Sequence, residues 1–157
     1  MDIAKIRGKM IDINKFNELE LRVGEIIKVE LFPEARIPAY KLKISFGEHG
    51  DKWSSAQITN NYTPKDLIGR QIIAAMNLGI KNIGEFKSEV LVMGADDDSG
   101  FVRLLSVDRK EDAGDGLWEV YNRVQESIVQ GSFHYIGGNK KSRKARPIKN
   151  FKQSIHV

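Results

Sequence analysis

Side chains able to make or break bonds are present, but their spacing does not bring them together. The three histidines, His49, His134 and His156, lie far apart in the chain. They suggest neither a metal cluster nor a nucleophile–base pair, because both need converging groups. Asp96-Asp97-Asp98-Ser99-Gly100 would attract a cation. A calcium loop, however, alternates its ligands and ends on a later Glu, so an acidic turn is the better reading. Gly137-Gly138-Asn139-Lys140-Lys141-Ser142 has the composition of a phosphate loop. It lacks the G-x-x-x-x-G-K-S/T spacing and a strand leading into it. Ser54-Ser55 has no neighbouring base in sequence. There is no cysteine, which removes disulfides and thiolate metal sites. A non-catalytic protein without metal or cofactor is expected.

Charge is the next chemistry available. The chain of 157 residues carries 25 cations and 21 acids. From Asn139 onward there are seven cations (Lys140, Lys141, Arg143, Lys144, Arg146, Lys149, Lys152) and no acid, which leaves 18 cations against 21 acids, a net of −3, in residues 1–138. The basicity therefore sits in a tail on a mildly acidic body. Such a tail is either an arm that meets polyanions or a solvated terminus. Residues 1–14 hold no apolar run between their charges, so neither a signal peptide nor a membrane span is expected, and the chain reads as a cytoplasmic protein.

Any binding surface must be held by the elements between. Asn14 is placed to cap a short helical turn through Phe16 and Glu18. Leu19, Leu21, Val23, Ile27, Val29 and Leu31 follow a period of two, which predicts one face of a strand. Gly24 inside that run points to a bulge or sharp coil, as small barrels need in order to close. Pro33 and Pro38 make residues 32–38 a loop. Next, Tyr40, Leu42, Ile44 and Phe46 alternate with Lys41, Lys43 and Ser45. Residues 52–58 read as a third strand. Thr63-Pro64-Lys65-Asp66 opens a short helix, with Thr63 as cap and Pro64 at the first helical position. Residues 71–76 predict an apolar strand buried on both sides, and residues 78–86 a loop punctuated by glycine. Strands are expected over residues 89–93, 101–107 and 117–121. Five or more short strands with regular turns favour a barrel or sandwich. Residues 120–130 have helical amphipathicity as an alternative, and residues 131–157 have few apolar anchors.

Several of these segments carry a resemblance. Leu21-Arg22-Val23-Gly24-Glu25-Ile26 resembles the opening strand of the tRNA-binding domain family. Pro33-Glu34-Ala35-Arg36-Ile37-Pro38-Ala39-Tyr40-Lys41-Leu42 is similar to the loop after strand one in its CsaA-like branch, and Phe46-Gly47 follows. Ser54-Ser55-Ala56-Gln57-Ile58-Thr59 is similar to that branch's third strand. Asn77-Leu78, then Gly84-Glu85-Phe86-Lys87-Ser88-Glu89-Val90-Leu91-Val92-Met93-Gly94, resemble its fourth-to-fifth region, and residues 100–108 its closing hairpin. The likeness spans about residues 16–120. It implies an all-β, five-stranded OB barrel with a short helix between strands three and four. It also implies a symmetric homodimer, as in free-standing CsaA-like members. Asn82-Ile83-Gly84 departs from the Arg-rich form of relatives, and residues 123–157 have no counterpart. The expected division is an N-terminal extension over 1–13, the barrel over 14–122 and a basic extension over 123–157.

Relatives of this family are tRNA-binding proteins, domains appended to aminoacyl-tRNA synthetases, and CsaA, regarded as a protein-export chaperone. The resemblance thus implies two partner classes. For tRNA or structured RNA, the face of strands two and three and the adjoining loops would bind. Arg36, Lys41 and Lys43 fall there, and Lys81, Lys87 and Ser88 fall where relatives contact RNA. The lysines would hold phosphates, or simply face solvent. Asn77 and Ser88 would hydrogen-bond a base edge or a 2′-hydroxyl, and Trp53 would stack on a base or else fill the core. For unfolded preproteins, an apolar groove is needed, and Phe32, Ile37, Pro38, Tyr40 and Phe86 are the candidates. Those side chains would equally suit a subunit contact. Phe16, Leu19 and Leu117 are the expected dimer interface.

Overall fold

The computed structural model describes residues 8–117. The expectations for residues 1–7, for a final strand continuing past Leu117, for a helix over 120–130 and for the basic tail lie outside the described residues. Among the described residues no helix is long and apolar enough to cross a membrane.

Among the described residues the first element is helix α1 (Ile13–Asn17). Its cap is Asp12, not Asn14: the Asp12 carboxylate accepts from the Asn14 N–H at 2.8 Å. Strand β1 (Leu21–Leu31) follows, and its two halves pair with different partners. Residues 21–25 pair antiparallel with β4 (Gln71–Ala75), and residues 25–31 with β2 (Tyr40–Ser45). The register shifts between Ile26 and Lys28. A shift of one residue exchanges the two faces of a strand. Val23 and Ile26 are therefore buried, whereas Ile27 is 41% and Leu31 69% exposed. The single apolar face expected from Leu19 to Leu31 is thus split in two. Gly24 serves close approach instead of the bulge. A Cβ there would meet Ile44 Cγ2 at 2.5 Å and Phe46 Cε1 at 2.6 Å, so any side chain would displace the buried Phe46 ring.

Strand β2 keeps its predicted alternation, with Tyr40, Leu42 and Ile44 inside. It pairs with β3 (Asp51–Ala56), shorter than the expected 52–58. Helix α2 (Pro64–Leu67) bears the predicted cap: the Thr63 hydroxyl accepts from the Asp66 N–H, and the Asp66 carboxylate accepts from the Thr63 N–H. Strand β4 is buried at every position, because it is covered on both faces.

Residues 78–86 are not simply a loop. They contain most of a hairpin, β5 (Lys81–Ile83) and β6 (Phe86–Ser88), joined by Gly84 and Glu85. Gly84 adopts φ +61, the positive value that a two-residue hairpin turn requires. Strand β7 (Leu91–Val92) pairs with β4, and β8 (Gly94–Asp96) with β9 (Val102–Leu104) forms a second hairpin around the acidic turn.

The main sheet has the order β3-β2-β1-β4-β7. Its two edges meet at residues 88–90, which lie against β3. The Trp53 N–H donates to Glu89 Oε2 at 2.9 Å, and the Glu89 N–H donates to the Trp53 carbonyl at 2.8 Å. The Ser54 hydroxyl donates to the Val90 carbonyl at 3.0 Å. The fold is an all-β, nearly closed five-stranded barrel of OB type with its helix between β3 and β4. Ile26, Leu42, Ile44, Phe46, Leu67 and Ile72 fill its interior.

Candidate nucleic-acid interface

The alternation that buries Leu42 and Ile44 turns Lys41 and Lys43 to the outer face of β2. Antiparallel register then builds rows across three strands. Lys28, Lys43 and Trp53 form one row, and Glu30, Lys41 and Ser55 the next. Directly opposed residues share a face and interact. Lys28 pairs with Glu30 at 2.9 Å, and this hydrogen bond holds the Glu30 carboxyl below its ordinary value. Lys43 reaches Asp51 at 4.0 Å, a contact too long and too exposed to hold the lysine in place.

Two segments flank this face. The loop after β1 carries exposed Arg36, Ile37 and Pro38. The β5–β6 hairpin turns Ile83, Phe86 and Ser88 toward the barrel and leaves Lys81, Asn82 and Lys87 exposed. Phe86 meets Phe32 edge-on at 5.2 Å and Trp53 edge-on at 6.1 Å. The Lys41 ammonium lies 4.7 Å from the Phe32 ring centre and 5.3 Å from that of Phe86.

The structure places Lys41, Lys43 and Trp53 on the outer face of β2 and β3, with exposed Arg36 in the loop that Phe32 begins and exposed Lys81 and Lys87 on the two faces of the hairpin that carries Phe86. Ser88 is also in that hairpin, but it is buried and its oxygen accepts from the Ser55 N–H at 3.0 Å, closing the seam. Asn77 belongs to another part of the fold. Its amide donates to the Glu18 carbonyl at 2.7 Å and accepts from the Glu20 N–H at 2.9 Å, tying the end of β4 to the segment after α1. Two of the apolar groove candidates are interior residues: Phe32 is 5% and Tyr40 6% exposed, and the Tyr40 hydroxyl donates to the Tyr62 carbonyl. Of that set only Ile37 and Pro38 are open, with Phe86 half-buried. Phe16 and Leu117 are exposed and Leu19 is half-buried.

Glu89, which closes the barrel against Trp53, and the joined rings of Phe32 and Phe86 escape sequence reasoning. Nothing local connects these partners. Among the described residues no group of three or more acidic or histidine side chains converges as a metal site would require.

Comparison with known proteins fits this geometry. Residues 21–116 match the family described as "Putative tRNA binding domain". The methionine–tRNA ligase of Methanocaldococcus jannaschii is 34% identical over 106 residues, which is 68% of this chain and 16% of the ligase. That of Sorangium cellulosum is 38% identical over 61% of this chain and 14% of the ligase. The chain thus spans about one sixth of these curated relatives. The crystal structure of chaperone CsaA from Bacillus anthracis superposes with a TM-score of 0.67 at 45% identity, covering 70% of this chain and all of that one. The chaperone CsaA of Picrophilus torridus gives 0.66 at 50% identity over 69% of this chain and all of that one. With the family's segment spanning the whole barrel from β1 past β9, the chain belongs to the tRNA-binding domain family.

Proposed function

We propose that this protein binds tRNA without catalysing a reaction, through the outer face of β2 and β3 and the β5–β6 hairpin. The observation that carries the reading is the pairing of Lys43 with Trp53 on the outer face of β2 and β3, next to a loop and a hairpin that expose Arg36, Lys81 and Lys87. OB barrels use this face and its flanking loops for nucleic acid. Lysines and an arginine there would hold phosphates, and the half-buried Trp53 would stack on a base. The basic segment over 139–157 would add sequence-independent affinity, and the protein would act in the cytoplasm.

We also infer a homodimer, with exposed Phe16 and Leu117 in the contact beside Leu19. A two-fold axis would present two copies of the binding face and raise avidity. Light scattering of Phe16→Asp should then report a monomer.

The test of the main reading is fluorescence anisotropy of labelled bulk tRNA at two salt concentrations. Full-length protein is compared with a chain ending at Asn122. Both should bind, with affinity falling as salt rises, and the full-length protein should have the steeper slope. Binding by the full-length protein alone would move the activity from the barrel to the tail.

One observation favours a second reading, the binding of unfolded preproteins: the 45% and 50% identical structures are those of chaperone CsaA proteins. Suppression of a client's aggregation, insensitive to salt and lost on Ile37→Asp, would support it. Burial of Phe32 and Tyr40 removes two of its five candidate side chains, whereas Ile37 remains exposed.

A further inference from the structure

Lys41 stands at the centre of the proposed binding face, where a lysine is most readily taken for a phosphate contact. Its ammonium is already engaged. It sits over two rings at once, 4.7 Å from the centre of Phe32 and 5.3 Å from that of Phe86. These rings come from different segments: Phe32 begins the loop that carries Arg36, and Phe86 begins the strand that carries Lys87. Among the described residues no hydrogen bond or ion pair joins loop 32–39 to hairpin 81–88. What joins them is the edge-on contact of the rings at 5.2 Å and the cation shared between them.

We propose that Lys41 is a positioning residue, a latch whose ammonium helps hold the loop that carries Arg36 and the hairpin that carries Lys81 and Lys87 at a fixed spacing. This rests on the tRNA-binding reading. A cation over an aromatic face is attracted by the ring quadrupole, and more strongly where water is partly excluded. Lys41 is half-buried and lies between strand neighbours Glu30 and Ser55, so its stem is already laid along the face. Moving the ammonium to a phosphate would forfeit both ring contacts and leave only the edge-on contact of Phe32 with Phe86 between the loop and the hairpin. Lys81 and Lys87 are exposed and give up no such contact when they meet a phosphate.

The test uses full-length protein and bulk tRNA. In the free protein, ring currents should shift the Lys41 ε-methylene signal upfield, assigned by its loss in Lys41→Arg and its collapse in Phe86→Leu. At saturating tRNA the latch keeps that shift, and a phosphate contact abolishes it. Lys41→Met, which keeps the stem but not the charge, should lower affinity by about three- to tenfold. Its log–log salt dependence should stay parallel to that of the parent, and Lys41→Arg should restore affinity. A slope smaller by about 0.7 to 0.9 in Lys41→Met would show a lost phosphate contact and overturn the proposal. Normal tRNA binding without an upfield shift would overturn the latch alone. Failure of the unaltered protein to bind tRNA would remove the functional reading on which the proposal rests.

Discussion

The barrel carries two hairpins of equal strand length and opposite character. β5–β6 and β8–β9 each pair three residues with three, and each turn contains a glycine at positive φ, Gly84 at +61 and Gly100 at +80. The acidic hairpin is satisfied within the fold. Asp97 accepts from the N–H groups of Ser99 and Phe101 and from the Asn61 amide, and Arg103 lies 3.4 Å from its carboxylate. The basic hairpin has no such anchor on its outer side. Lys81 and Lys87 are exposed, and among the described residues neither has an ion pair. The same scaffold thus makes a closed structural corner in one place and an open charged rim in the other. Charges that are already partnered would have to be freed before they could bind anything.

The sharpest way to break this contrast is to empty the open hairpin. Lys81→Ala combined with Lys87→Ala should weaken tRNA binding at low salt by about ten- to a hundredfold, and should reduce the salt slope by roughly 1.4 to 1.8. Urea denaturation should move by no more than about 0.5 kcal/mol, as expected for surface positions. A large loss of stability with an unchanged slope would mean that these lysines are structural and that the two hairpins do not differ as argued.

A smaller effect should follow from loosening the closed hairpin. The Asn61 amide bridges Asp97 Oδ2 at 3.0 Å and the Val102 carbonyl at 2.9 Å. Asn61→Ala should cost about 1 to 2 kcal/mol in urea denaturation, because two partners lose a donor. Its tRNA affinity and salt slope should match the parent. Weakened binding at unchanged stability would place the acidic hairpin in the interface instead.

The two hairpins also differ in how far sequence reveals them. Asp96-Asp97-Asp98-Ser99-Gly100 declares a turn, because Asp, Ser and Gly satisfy turn backbones locally. Likewise the alternation of Tyr40, Leu42 and Ile44 with Lys41 and Lys43, and the Thr63, Pro64 and Asp66 cap, are local signals that the fold keeps. Lys81-Asn82-Ile83 is too short to show a period, so β5 reads as loop. The bulge past Ile26 moves Ile27 to the outside without any proline or glycine to mark it. The latch over Phe32 and Phe86 and the ties made by Asn77, Ser88 and Glu89 are long-range pairings. Residue type suggested RNA recognition for Asn77 and Ser88, but their polar atoms are engaged with distant backbone. The outward placement of Lys41 and Lys43 was legible because it follows from the burial of Tyr40, Leu42 and Ile44 at alternate strand positions.

Acid should act on the closed hairpin and spare the open one. The Phe101 N–H, then the Asn61 amide, and further the Ser99 N–H and the Arg103 charge, hold the Asp97 carboxyl below its ordinary value, while desolvation opposes them. The folded value therefore lies below the unfolded one. Its contribution to stability is complete above the unfolded value and is lost as pH falls through the folded one. Stability measured from pH 5 downward (a window at and below the ordinary carboxylate range) should fall less steeply in Asp97→Asn, which keeps an acceptor oxygen but cannot titrate. The difference will be small, because Asp97 lies near solvent, and Asp66, held low mainly by the Thr63 hydroxyl, titrates alongside it. Lys87→Met should leave the acid limb unchanged. Parallel curves for Asp97→Asn and the parent would show that the turn does not draw on the ionised carboxylate, and would leave the acidic hairpin as open as the basic one.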